Sequence, residues 1–212
     1  MPQPLKAIAL VCSLKSSTDP SSSEVLAQQM LDGLKQYDVE STLIRVVDHN
    51  VMPGVELDMG PGDAWPGIRK QIMAADILLL ATPIWVGHPS SICQRVIERL
   101  DAELSETDEQ GRLLTYGKVG IVGVVGNEDG AHKVSADLFQ ALSDVGFTIP
   151  AIGSAYWVGE AMQKKDFKDL DETPNAVAET IKSVTANAAH LARLLRESPY
   201  PETSENTESH GK

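Results

Sequence analysis

Between Ile77 and Ala81 the chain carries no polar side chain, and the run then breaks into Thr82-Pro83-Ile84-Trp85-Val86-Gly87-His88. A strand with one wet face alternates apolar and polar residues, whereas an unbroken apolar run fits a strand covered on both faces. Such strands belong to parallel sheets flanked by helices. Their ligands bind beyond the carboxyl ends of the strands, where this loop begins. Pro83 stiffens the turn, Gly87 permits close approach to the backbone, and Trp85 supplies a flat aromatic face. The expected ligand is planar.

A second buried strand, Ala7 to Cys12, ends in Ser13-Leu14-Lys15-Ser16-Ser17-Thr18-Asp19-Pro20-Ser21-Ser22-Ser23. Leu26, Ala27, Met30 and Leu34 follow at helical spacing, and Ser21 with Glu24 fits a capping box, so a helix is predicted from Ser22 to Gln36. Hydroxyls and backbone N–H groups at a helix amino terminus attract an anion, to which Lys15 adds charge. A Ser-rich turn that only caps its helix is the plainer alternative, and the Glu24 carboxylate would compete with a phosphate for the same donors. Neither Gly-x4-Gly-Lys-Ser/Thr nor Gly-x-Gly-x-x-Gly occurs here, which disfavours nucleoside triphosphates and a dinucleotide site of the Rossmann type. A mononucleotide fits better.

Glu40 to Val47 is read as the next strand. A long loop from Asp48 to Trp65 follows, broken by Pro53, Gly54, Pro61 and Gly62. Trp65 is expected either in a ligand cleft or subunit contact, or over the edge of the core. Asp63 is expected to cap a helix from Pro66 to Ala75, with Ile68 and Ile72 facing inward. Ile92, Val96 and Leu100 then share one helical face, with Arg95, Glu98 and Arg99 placed outside. Glu103 to Gln110 is expected to be a solvent loop. A buried strand from Lys118 to Val125 delivers a third loop, Gly126-Asn127-Glu128-Asp129-Gly130-Ala131-His132. His88 and His132 are read as proton donors or as plain solvent-facing residues.

A helix through Leu138, Leu142 and Val145 ends at Gly146, and the last strand region covers Phe147 to Ile149 and Ala151 to Val158. Tyr156, Trp157 and Gly159 lie near its end. A closing helix starts at Thr173-Pro174 and carries the stripe Val177, Ile181, Val184, Ala188, Leu191 and Leu195. The expected organisation is one domain over residues 1–197 and an acidic, disordered tail over 198–212.

A net charge of -12, from 18 basic and 30 acidic residues, argues against binding nucleic acid or anionic membranes. Cys12 and Cys93, the two cysteines, cannot hold an iron–sulfur cluster and are expected to be reduced, buried thiols. No apolar run approaches the roughly 20 residues of a membrane helix. A cytoplasmic protein is expected.

The alternation of strands and helices predicts an α/β three-layer sandwich around a five-stranded parallel sheet. The flavodoxin-like order 2-1-3-4-5 places the first and third strands at the switch point. The three loops at these strand ends resemble those of the NADPH-dependent FMN reductase family of the flavodoxin-like superfamily, over Lys6 to Gly159. The family pattern Gly-Ser-x-Arg, followed by Ser or Asn, is matched by Cys12-Ser13-Leu14-Lys15 and Ser21-Ser22-Ser23. Lys15 lacks the bidentate fork of the family's arginine. Thr-Pro-Ile-Tyr/Trp-x-Gly is matched by Thr82 to Gly87, and the family's glycine-rich third loop by Gly126 to Ala131.

The resemblance implies noncovalent FMN, its phosphate at Ser13, Lys15, Ser21, Ser22 and Ser23. The isoalloxazine would lie against Pro83, Ile84, Trp85, Val86 and Gly87, and against Asn127, Glu128, Asp129 and Gly130. It further implies hydride transfer from NAD(P)H through flavin N5 to a flavin, quinone or related small-molecule acceptor, with no catalytic side chain. A homodimer or homotetramer without nucleic-acid partner or membrane insertion is implied, with Trp65, Tyr156 or Trp157 reaching a neighbour's site. The alternative is a flavodoxin-like electron carrier that binds FMN without turning over nicotinamide.

Overall fold

The computed structural model describes residues 3–160 and 164–202. Its elements run β1 (Leu5–Val11), α1 (Ser22–Lys35), β2 (Val39–Arg45), α2 (Trp65–Ala74), β3 (Ile77–Trp85), β4 (His88–Pro89), α3 (Ser91–Leu100), β5 (Val119–Gly126), α4 (Ala131–Asp144), β6 (Ser154–Val158) and α5 (Asn175–Glu197). Five parallel strands lie in the order β2-β1-β3-β5-β6, as the flavodoxin-like reading expects, and β4 pairs antiparallel with the end of β3. The central strand is β3, with Leu79 opposite Ala9 of β1 and Ile121 of β5.

Its apolar run is buried on both faces because each face meets a helical layer. Ile77, Leu79 and Ala81 pack with Leu26, Met30 and Leu34 of α1 and Val184 and Ala188 of α5. Leu78 and Leu80 meet Ile68 and Ile72 of α2, Val96 of α3 and Leu138 of α4. Parallel connections bring the ends of β1, β3 and β5 to one edge, and all three expected loops leave from it.

Several expectations shift on contact with the structure. The second strand stops at Arg45, and Val46–Asp48 form a 3-10 turn. The final strand is confined to Ser154–Val158; Thr148 contributes only an isolated bridge to Val119. Pro174 is the N-cap of α5, with no side-chain cap, while Thr173 Oγ1 accepts from Gln29 Nε2 at 2.9 Å. Trp65 is fully buried in the core. Most of the predicted tail lies outside the described residues; ahead of it, the Tyr200 ring packs on Tyr116 at 5.6 Å.

Two charged residues are not where helical spacing put them. Arg99, expected outside, has a side chain 0% exposed and pairs with the equally buried Asp63 at 2.7 Å. Its other nitrogen donates to Glu56 O, and its guanidinium lies 5.6 Å from the Trp65 ring centroid. Glu103, expected in a solvent loop, is also buried and accepts both ends of the Arg69 fork, at 2.6 and 2.9 Å. Each charge is covered because a partner neutralises it, which periodicity does not register. Asp63, instead of simply capping α2, accepts the N–H groups of Met52, Met59 and Trp65 and so pins the long loop to the helices.

Burial alone pushes the Asp63 carboxyl up, but the N–H groups of Met59 and Trp65, the Arg99 guanidinium and the Met52 N–H overcome it and hold the pKa at about 2. The unfolded value is about 3.9, so between the two the unfolded chain binds more protons. The Asp63 contribution is therefore complete above about pH 4 and lost as pH falls to about 2. We expect urea-derived stability to drop across that window and Asp63→Asn to flatten the drop. Parallel pH profiles for the two proteins would contradict this.

Candidate functional site

The edge where β1, β3 and β5 end surrounds a cavity of about 520 Å3, within the size range of small-ligand sites. Ser13, Lys15, Ser21, Ser22 and Ser23 line one end, and Pro83, Ile84, Trp85, Asn127 and Glu128 the other. Val86, Gly87, Asp129 and Gly130 do not line it. They lie in the turns where the second and third loops meet.

At the hydroxyl end, three of the four serine oxygens are already acceptors. Ser13 Oγ accepts from Lys15 N at 3.2 Å, Ser21 Oγ from Glu24 N at 3.4 Å, and Ser22 Oγ from Lys168 N at 3.2 Å. An oxygen whose lone pair is engaged in this way turns its own hydrogen elsewhere, so the three hydroxyls remain available as donors. Ser22 and Ser23 begin α1, and their N–H groups have no partner within the helix. Free N–H groups at a helix amino terminus beside donor hydroxyls have the chemistry that favours an anion.

Arg45 holds it in place. This last residue of β2 has a side chain only 3% exposed. Nη1 donates to Lys15 O at 2.8 Å and Ser16 O at 3.1 Å, and Nη2 to Asp19 O at 3.2 Å and Glu24 Oε2 at 2.5 Å. The loop is thus stapled from behind through its carbonyls. Glu24 is turned to Arg45, which neutralises the carboxylate that would compete with a bound anion. Ser21 makes its half of the expected capping box, and Glu24 serves the clamp. Asp48 adds a second tether by accepting from Ser17 N, a bond that with the Ser17 side chain lowers its pKa.

The opposite end is built by interlocking loops. Thr82 Oγ1 accepts from Ser90 N at 3.1 Å, and Ser90 Oγ donates to Cys12 O, tying the end of β3 to the end of β1. Cys12 and Cys93 are both buried and free; the Cys12 thiol is pushed up by its contact with Cys93 and by burial. Glu128 Oε1 accepts from Gly87 N at 3.2 Å, joining the second and third loops. Gly130 lies at φ +126°, and a Cβ there would stand 3.1 Å from Gly87 Cα.

Four lining residues escaped the sequence reading. Trp157, thought to reach a neighbour, lines this chain's own cavity, and its ring packs 5.6 Å from Phe167. Asp166, Phe167 and Lys168 close the remaining side. Asn127 Nδ2 donates to Asp166 at 2.6 Å, while Asn127 Oδ1 is buried without a partner. Only Trp157 carried a signal, as an aromatic at a strand end. The 166–168 segment lies in the connection between β6 and α5, several residues past the strand end, and carries no apolar periodicity to mark it. The histidines stand apart: His88 Nδ1 meets Lys133 Nζ, and His132 Nε2 meets the Tyr156 hydroxyl at 2.8 Å. Among the described residues, no cluster of His, Cys, Asp or Glu could hold a metal ion, and no helix is long and apolar enough to cross a membrane.

The family model for NADPH-dependent FMN reductases matches residues 5–163. The chain belongs to that family. By family it is a flavoprotein oxidoreductase, with FMN as the family's cofactor and NAD(P)H as its electron donor. It is 29% identical over 206 residues to the 8-demethyl-8-aminoriboflavin-5'-phosphate synthase of Streptomyces davaonensis, across 92% of this chain and 80% of that protein. It is 33% identical over 199 residues to a protein of Mycobacterium bovis named as a divalent metal cation transporter, covering 91% of this chain but spanning only 29% of that relative. The crystal structure of RosB with bound 8-demethyl-8-formylriboflavin-5'-phosphate superimposes with a TM-score of 0.84 at 29% identity, covering 92% of this chain and 82% of that one. An apo NADH:FMN oxidoreductase shares the fold, with a TM-score of 0.64 at 18% identity over 92% of each chain.

The contact between Gly130 and Gly87 gives the family's third loop a specific requirement. Gly130→Ala must strain its own backbone and push the Gly87 turn away, which we expect to cost about 1–3 kcal/mol in urea unfolding. Stability unchanged from the parent would show that the loops are not interlocked.

Proposed function

We propose that the chain oxidises NAD(P)H and reduces a small molecule, a flavin, quinone or related acceptor, with FMN held in the 520 Å3 cavity. One observation carries this: the cavity joins a hydroxyl-lined, dipole-favoured end to an aromatic end within a single space. The phosphate is assigned to Ser13, Ser21, Ser22 and Ser23, with Lys15 supplying charge. The ring is assigned to the wall of Pro83, Ile84, Trp85, Asn127, Glu128 and Trp157.

The residues present fit that cofactor. The unpartnered Asn127 Oδ1 is an acceptor suited to a ring N–H, and its orientation is set by Asp166. Trp85 and Trp157 offer faces or edges to a flat heterocycle. Bound FMN supplies the two-electron chemistry, accepting hydride at N5. The protein binds the phosphate, orients the ring and exposes one approach for donor and acceptor in turn. No side chain at the cavity is required to carry a proton in this scheme.

A second reading makes the flavin the substrate. Its support is the TM-score of 0.84 to RosB, against 0.64 for the NADH:FMN oxidoreductase. A cytoplasmic setting, in keeping with two buried free cysteines, and assembly as a homodimer or homotetramer are part of the proposal, the assembly checked by sedimentation. Anaerobic stopped-flow mixing of the FMN-loaded protein with NADPH or NADH decides between the readings. Bleaching of the flavin band, with flavin of unchanged mass recovered after reoxidation, is the expected result. A flavin reduced only by a protein partner would mark an electron carrier, and flavin of altered mass a flavin-modifying enzyme.

A further inference from the structure

We infer that Lys168 recognises the phosphate of a phosphorylated flavin, and that its charge makes the cavity prefer FMN to riboflavin. The inference rests on the reading of the cavity as the flavin site. It adds a residue from outside the three strand-end loops.

The charged residues that line the cavity are Lys15, Glu128, Asp166 and Lys168, two of each sign. A phosphate monoester brings a charge of about −1.5 to −2 at neutral pH, and on a chain of net charge -12 it needs a local positive field. Glu128 is engaged by Gly87 N. Lys15 is exposed, where water and salt screen its charge. Lys168 is better shielded. Its side chain is 23% exposed, whereas its carboxylate partners Asp166 and Asp169 are 45% and 48% exposed. The carboxylates are therefore the more strongly screened members of this cluster, and the ammonium contributes most to the field inside the cavity.

One contact places Lys168 at the hydroxyl end. Its N–H donates to Ser22 Oγ at 3.2 Å, which sets its backbone against the first turn of α1. In that turn Ser23 also lines the cavity; it is 2% exposed, and its Oγ has no hydrogen-bond partner. A hydroxyl so buried and unpaired calls for an acceptor that the protein does not supply. The Lys168 ammonium lies 2.8 Å from Asp169 and 3.2 Å from Asp166. The hydrogen bond to Asp169, with help from Asp166, outweighs desolvation and raises its pKa, so it stays charged wherever the phosphate is ionised. A merely structural role would run through Asp166, which also accepts from Asn127 Nδ2 at 2.6 Å. The two roles differ in outcome: a displaced Asn127 weakens both flavins, and a lost charge weakens only the phosphorylated one.

FMN and riboflavin are titrated, by quenching of flavin fluorescence, into the parent, Lys168→Met, Lys168→Arg and Asp169→Asn, with a melting curve for each protein. Lys168→Met should narrow the ratio of FMN to riboflavin affinity roughly 10-fold and leave riboflavin binding unchanged. Lys168→Arg should keep the ratio. Asp169 does not line the cavity, and Asp169→Asn, by removing a carboxylate from Lys168, should widen the ratio roughly 2-fold. An unchanged ratio in Lys168→Met, an equal loss of both flavins, or a ratio lost as fully in Lys168→Arg overturns the inference. If Lys168→Met does not fold, Asp169→Asn decides, and a ratio that fails to widen overturns it. Failure of the underlying reading looks different: a parent that binds neither flavin, or both equally, has no phosphate site, and the inference falls with it.

Discussion

One guanidinium holds the first loop in the shape on which the proposed phosphate site depends. Arg45 gathers the Lys15, Ser16 and Asp19 carbonyls and the Glu24 carboxylate around a single buried group. Without it, the loop between β1 and α1 would keep only the Asp48 tether to Ser17 along its middle, and Glu24 would lie free in the first turn of α1. A carboxylate there is stabilised by the same helix dipole that attracts phosphate. By drawing Glu24 away, Arg45 leaves the amino terminus of α1 to the serines. The planar fork suits this task because it can satisfy several acceptors at once.

The sheet converts this local arrangement into a site. Because β1 and β3 are neighbours with parallel register, their following loops leave the same edge side by side. Ser90 couples them through Cys12 O and Thr82, and Glu128 couples the third loop to the second. The hydroxyl end and the aromatic end are therefore parts of one hydrogen-bonded unit, and the cavity between them has a defined length and shape. That pre-organisation lets a cofactor do its chemistry with little help from side chains.

Much of this was legible in the sequence, for a physical reason. Apolar runs such as Ile77 to Ala81 announce strands buried on both faces, and their abrupt ends announce the loops. Thirteen lining residues spanned by those loops, among them Ser13, Ser21 to Ser23, Trp85 and Asn127, follow from local patterns, and the strand order follows from the flavodoxin-like reading. What was not legible depends on partners distant in sequence. Arg45 ends a strand and looks like any polar terminus until Glu24 is placed beside it. Arg99 and Glu103 looked solvent-facing because a charge usually is, and each is buried only because Asp63 or Arg69 meets it. Asp166 to Lys168 reach the cavity from a segment with no periodicity to read.

The central claim, that the serine loop clamped by Arg45 is a phosphate site joined to a ring site, is tested most directly by titrating FMN and riboflavin into the parent protein and Arg45→Ala. The account predicts that the parent binds FMN about 100-fold more tightly than riboflavin, the worth of one or two charged hydrogen bonds. It also predicts that Arg45→Ala narrows this gap while riboflavin binding changes little. Equal affinity for the two ligands in the parent would contradict the account.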